Sequence, residues 1–180
     1  MDLTEQMIDR QQLVDGVLLK VYRDRVRLPD GAESVREWID HPGASAVVPI
    51  MDDGRLVLVR QYRYPAGRTF VEVPAGKLDS PGEDPTDVAR RELEEETGWA
   101  AQKLEHIGSL YAAIGYSNEV IHCFTASELV ISESATEPDE FIELVYATFD
   151  EAIAMVLSGE ICDMKSVAAL LLANARLVRA

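Results

Sequence analysis

Residues 76–99 read GKLDSPGEDPTDVARRELEEETGW, and this stretch decides the fold. Asp84-Pro85 is an N-cap followed by proline at the first helical position, and Gly98 is the glycine that closes a helix. The helix between them carries Glu92, Glu95 and Glu96. At about 100° per residue, Glu95 lies about 60° to one side of Glu92 and Glu96 about 40° to the other. All three therefore crowd one narrow face, where like charges repel. A helix tolerates this best with positive charge against it, and hard divalent cations are the natural candidate. Glu94 points about 160° away from Glu96 and reads as a solvated charge. Ala89 and Leu93, one turn apart, face the core.

Working outward, residues 70–73 form a short strand that runs into a glycine loop at Pro74-Ala75-Gly76. Residues 44–51 read as a buried strand, Asp52-Asp53-Gly54 as a tight hairpin turn, and 56–62 as its returning partner. Toward the N-terminus, 17–28 and 34–39 form a hairpin around Pro29-Asp30-Gly31, and residues 1–12 are loose or a short helix. His41-Pro42-Gly43 breaks the pattern and marks a boundary. Beyond the helix, 104–110, 119–125 and 142–147 read as strands, with an acidic loop over 132–139. Residues 149–157 and 164–178 read as helices, the second capped by Asp163 and striped by Val167, Leu170, Leu171 and Ala175. Irregular alternation with antiparallel pairs points to a mixed sheet flanked by helices, not a doubly wound parallel sheet.

The chain has 180 residues, 47% of them hydrophobic, which is one domain with a real core and a small extension. Net charge is -15, which argues against nonspecific nucleic-acid binding. Cys123 and Cys162 form no CxxC pair, and His41, His106 and His122 form no ligand motif. The polar, acidic start is unlike a signal peptide, and the longest apolar run, 167–173, is too short to span a bilayer. These features point to a reducing cytoplasm and to no membrane partner.

The central stretch resembles the Nudix box: glycine, five residues, glutamate, seven residues, then Arg-Glu-bulky-any-Glu-Glu-any-Gly-bulky. Residues 91–99, RELEEETGW, match the second half at every fixed position, and Glu83 stands seven residues before Arg91. Six residues rather than five separate Gly76 from Glu83, an addition that the turn over 78–82 can absorb. Flanking segments resemble the ADP-ribose and nucleoside-diphosphate-sugar branch of the family. They are His41-Pro42-Gly43-Ala44, Arg60-Gln61-Tyr62-Arg63-Tyr64-Pro65 and Glu72-Val73-Pro74-Ala75-Gly76-Lys77-Leu78. Residues 111–119 keep the Gly-aromatic-Ser-Asn-Glu portion and lack the proline the branch often carries there.

The resemblance implies an α+β fold, a mixed β-sheet sandwiched between helices, with an antiparallel β extension over 1–42 and a catalytic core over 43–180. It implies a hydrolase that splits the diphosphate of ADP-ribose or a related nucleoside-diphosphate sugar into a nucleoside monophosphate and a sugar phosphate. Mg²⁺ or Mn²⁺, two or more ions with substrate bound, would be held by Glu92, Glu95, Glu96 and the backbone carbonyl of Ala75. Arg91 pairs with Glu95 and orients it. Glu83 is either a supporting partner or a helix N-terminal charge. The glutamate that positions the attacking water falls on 132–141, with Glu140 first and Glu137 second. Arg36 and Arg63, with Glu37 nearby, are candidates for holding the diphosphate. Gly76 and Gly98 are structural positions of the motif. The branch implies a homodimer built through the N-terminal strands. Two other readings stay open: a hydrolase of nucleoside triphosphates or dinucleoside polyphosphates, and a Nudix-fold module that binds a nucleotide without cleaving it.

Overall fold

The computed structural model describes residues 1–80, 82–132 and 141–177. The chain divides into two units, one of residues 1–43 with 111–120, the other of 44–110 with 121–180.

In the first unit, β1 (Gln6–Asp15), β2 (Lys20–Arg27) and β3 (Glu33–Asp40) form an antiparallel sheet in the order β1-β2-β3. The Pro29-Asp30-Gly31 turn forms as expected, with Gly31 at φ 90° and the Ala32 N–H on Asp30 Oδ1 at 3.0 Å. The N-terminal residues correct the sequence reading, because Gln6–Asp15 is a ten-residue strand. Its side chains are almost all exposed, so it shows no apolar alternation to announce it. Cross-strand partners hold it instead. Arg10 donates two hydrogen bonds to Asp24, at 2.9 and 2.8 Å, and its guanidinium lies over the rings of Tyr22 and Trp38. Trp38 Nε1 donates to the same carboxylate at 3.1 Å. The hydrogen bonds from Arg10, above all, hold the Asp24 carboxyl below its usual value. The 111–120 segment is tied on by the Ile39 N–H to the Tyr116 carbonyl (2.8 Å) and by Asn118, which accepts from the His41 N–H at 2.8 Å.

The second unit contains two sheets. One has the order β7 (Ala75–Lys77), β4 (Ala44–Pro49), β9 (Val120–Ile131), β8 (Trp99–Tyr111), and the other β10 (Ile142–Thr148), β5 (Arg55–Arg63), β6 (Arg68–Glu72). β4 runs antiparallel to β7 and parallel to β9, which makes the first sheet mixed. β5 is antiparallel to both its neighbours. The expected β4–β5 hairpin is thereby corrected. The turn does form, with Gly54 at φ 83° and its N–H on the Met51 carbonyl at 2.9 Å. Both edges of β4 are already taken by β7 and β9, so β5 leaves after one bridge, Ile50 to Leu56, and joins the other sheet.

The central helix is α1 (Pro85–Thr97). Asp84 caps it by accepting from the Thr86 N–H at 2.8 Å, and Gly98, at φ 70°, closes it through its N–H to the Glu94 carbonyl. Ala89 and Leu93 are fully buried against Val47, Ala101, Phe124 and Ala126. α2 (Phe149–Ser158) packs on β5 and β10, and α3 (Met164–Leu177) packs on β4 and α2. The α3 stripe is corrected as well. Ser166, Ala169, Leu170 and Ala173 turn inward, while Leu171 and Ala175 are exposed. The inward side chains are shorter and less apolar, which let the more hydrophobic neighbouring positions dominate the pattern. The Cys123 thiol is buried, and burial pushes it up to about 11. Among the described residues no helix is long and apolar enough to cross a membrane.

Candidate active site

The site grows from α1 and the strand it packs on. β7 passes beside the glutamate-bearing face of the helix, and the fit is close at two points. The Ala75 N–H donates to Glu96 Oε2 at 3.1 Å. A methyl group built on Gly76 would overlap the Glu92 carboxylate, so only a residue without a Cβ leaves that carboxylate its place. Glu96 is buried and Glu92 nearly so. The longer segment before Glu83 leaves this registry intact. It is gathered into a turn in which Glu83 Oε2 accepts from the Asp79 N–H at 2.6 Å and the Glu83 N–H reaches the Ser80 carbonyl at 3.2 Å.

Arg91 is the cation of this cluster. Its Nη1 donates to Glu92 Oε1 at 2.7 Å and to Glu95 Oε2 at 3.2 Å, the spacing expected for the latter pair. Its Nη2 lies 3.4 Å from Asp79 and 3.9 Å from Glu83. Burial pushes the Arg91 pKa down, but Glu92, Asp79 and Glu95 outweigh it and raise it overall. Arg91 thus supplies positive charge that lets the carboxylates crowd one face, and it orients Glu92 as well as Glu95. Glu83 turns its Oε1 toward this network. Among the described residues no three acidic, His or Cys side chains stand in a ready-made ion cage. The donor set nevertheless fits a hard dication. It is all oxygen, with one carboxylate registered on the backbone of Ala75 and one against the bare Cα of Gly76.

A second charged cluster borders the first. Glu72, at 2% exposure, accepts from Arg63 Nε at 2.8 Å and Nη2 at 2.9 Å. Lys165 Nζ, from α3, donates to Glu72 Oε2 and also to Asp163 Oδ1, the latter at 2.9 Å. Arg63 is therefore already held by one carboxylate. The hydrogen bonds it donates to Glu72 raise its pKa most, and Glu96 adds to the rise, which places Arg63 within electrostatic reach of the glutamate cluster. Burial pushes the Glu72 carboxyl up, but Arg63 and Lys165 outweigh it and leave it below the usual value. In the unfolded chain it returns to about 4.3. Its stabilisation is complete above that pH and disappears as acid carries the pH through the lower, folded value. Thermal unfolding followed from pH 7 to pH 3 should show the stability advantage of wild type over Glu72→Gln constant above about pH 5 and shrinking below about pH 4. An advantage independent of pH would contradict the assigned pairs.

In the first unit, Arg36 is paired with Glu5 through Nε (2.9 Å) and Nη2, and Glu37 with Arg23 at 2.6 Å. Arg36 and Glu37 are both exposed on β3, Arg23 is on β2 and Glu5 precedes β1. Glu137 and Glu140 lie outside the described residues. Glu94 does more than face solvent, since it accepts from Ser132 Oγ. Neither that contact nor the Glu72–Lys165 pair has a signal in the sequence, because each joins elements far apart in the chain. Tyr62 and its neighbours Arg60, Thr69, Phe141 and Glu143 line a shallow cavity of about 420 Å³ on the β10-β5-β6 sheet.

The helix whose glutamates register on this alanine-glycine strand lies inside residues 40–169, which match the NUDIX domain. The chain belongs to the Nudix hydrolase family. It is 42% identical to an ADP-ribose pyrophosphatase of Bacillus subtilis (strain 168), over 93% of this chain and 91% of that one. It is 41% identical to a methanol dehydrogenase activator of Bacillus methanolicus, over 92% of this chain and 90% of that one. A crystal structure described as an ADP compounds hydrolase superposes with TM-score 0.87 over 99% of this chain and 97% of the other, at 23% identity, which establishes the α+β Nudix fold.

Proposed function

We propose that this enzyme hydrolyses the P–O–P linkage of ADP-ribose or a related nucleoside-diphosphate sugar, releasing a nucleoside monophosphate and a sugar phosphate. The observation that carries the reading is the registry of Glu92 and Glu96 on Gly76 and Ala75, with Arg63 bordering the cluster. A family whose similar members include one named for ADP-ribose supports the substrate class.

Glu92, Glu95, Glu96 and the Ala75 carbonyl would hold Mg²⁺ or Mn²⁺, more than one ion once substrate is bound. Such ions neutralise phosphate oxygens and lower the pKa of a bound water. The chain does the rest. Arg91 keeps two carboxylates aimed. Glu83 ties down the turn before the helix. Arg63 offers a guanidinium to the diphosphate, a planar donor matched to phosphate oxygens. Arg36 and Glu37 are further candidates for the diphosphate, and 1–42 would act as the arm of a homodimer. Glu140, or Glu137 in its place, would take the proton from the attacking water. Location in the cytoplasm is part of the same reading.

Chromatography of products from ADP-ribose, GDP-mannose and UDP-glucose, with Mg²⁺ and with Mn²⁺, tests this. The expected result is a nucleoside monophosphate and a sugar phosphate from at least one of them. Absence of monophosphate from all three, with pyrophosphate released from nucleoside triphosphates, would move the enzyme to the other reaction class. Ligand-induced stabilisation without any product would make it a binding module.

A further inference from the structure

Helix α3 begins beside the site, and its first turn grips Glu72, the last residue of β6, and Val73, the next residue on the way to Ala75-Gly76. Lys165 holds the Glu72 carboxylate, and the buried Ser166 Oγ accepts from the Val73 N–H at 2.9 Å. One residue further, the Pro74 carbonyl accepts from the Val47 N–H at 2.9 Å, and then the Ala75 N–H meets Glu96. Asp163 ends the chain of charges. Its Oδ1 accepts from Lys165 and, at 3.1 Å, from the Ser166 N–H that opens the helix. The array Arg63–Glu72–Lys165–Asp163 alternates in sign, and Lys165 is only 17% exposed.

An alternating array around a buried carboxylate is a costly way to stabilise a fold, since desolvation offsets much of the attraction. It does fix direction. Glu72 takes the Nε and Nη2 edge of Arg63, so the guanidinium plane is set by a carboxylate whose Oε2 is also held by Lys165. Nη1 stays outside that pair.

We propose that Lys165, tethered by Asp163, is a positioning residue for substrate binding: through Glu72 it fixes Arg63 so that Nη1 is presented to the diphosphate. The inference rests on the reaction proposed above and assigns a role to α3 within it. Lys165 itself touches no substrate. Its charge matters, not its bulk, because a neutral side chain of similar length leaves Glu72 free to rotate with Arg63.

The test compares Lys165→Met with Lys165→Arg in the full-length protein, using ADP-ribose and a fixed Mg²⁺ concentration. Loss of one aligned charge-assisted contact corresponds to a rise in KM of about tenfold. The expected result is that rise in Lys165→Met with kcat changed far less, and recovery in Lys165→Arg. The Arg63 Nε–H resonance, read by NMR without substrate or metal, should be sharp in wild type and Lys165→Arg and broadened by exchange in Lys165→Met. Should Lys165→Met fail to fold, Asp163→Asn removes the tether and should move both readouts in the same direction. A folded variant with unchanged KM, or with the Arg63 signal untouched, would overturn the inference. A wild-type enzyme that cleaves no nucleotide sugar would instead overturn the proposed reaction, and the Arg63 signal would still decide whether Lys165 orders that side chain.

Discussion

Gly76→Ala should lower turnover by about a hundredfold while the protein stays folded, the loss expected when a reacting group is displaced by about 1 Å. The backbone there does not demand glycine, because Gly76 is not among the residues with left-handed φ. The demand comes from the neighbour. An added methyl meets the Glu92 carboxylate, the far end of a flexible side chain that can swing aside. The fold therefore absorbs the change, and the carboxylate does not return to its place. A melting temperature close to wild type together with the loss of turnover would confirm that Gly76 guards a ligand position. Wild-type turnover would show that Glu92 needs no such place.

Glu96→Gln should be more severe, lowering kcat by about a thousandfold, equivalent to about 4 kcal/mol of transition-state stabilisation. Glutamine keeps an oxygen that accepts the Ala75 N–H, so the registry of helix on strand survives. Only the negative charge is lost, and with it the preference for a hard cation. Removing one of three like charges from one helix face also relieves repulsion, so thermal stability should hold or rise. Activity within a few fold of wild type would remove Glu96 from the metal-holding set.

Much of this site was legible in the chain because its grammar is local. Asp84, Pro85 and Gly98 mark the ends of α1 by side-chain and backbone rules that act within a few residues. Arg91 and Glu95 stand one turn apart, so their pairing follows from helix geometry. What the sequence hid is what depends on distant partners. β1 carries no apolar alternation and exists through Arg10 on Asp24. The 52–54 turn signalled a reversal correctly and said nothing of which sheet β5 would join. Glu72 looked like one residue in a strand, yet it is the buried centre of an array reaching residue 165. His106 and His122, scattered in sequence, converge on Ser109 Oγ at 2.9 Å each because β8 and β9 are neighbours.

The proposed chemistry requires a hard dication seated at Glu92, Glu95, Glu96 and Ala75. Mn²⁺ binding followed by electron paramagnetic resonance tests it most directly, with wild type and Glu96→Gln titrated side by side. The wild-type protein should bind Mn²⁺, and the variant should bind it more than about tenfold less tightly, with Mg²⁺ competing for the same position. Equal affinity in the two proteins, or no binding by wild type, would contradict it.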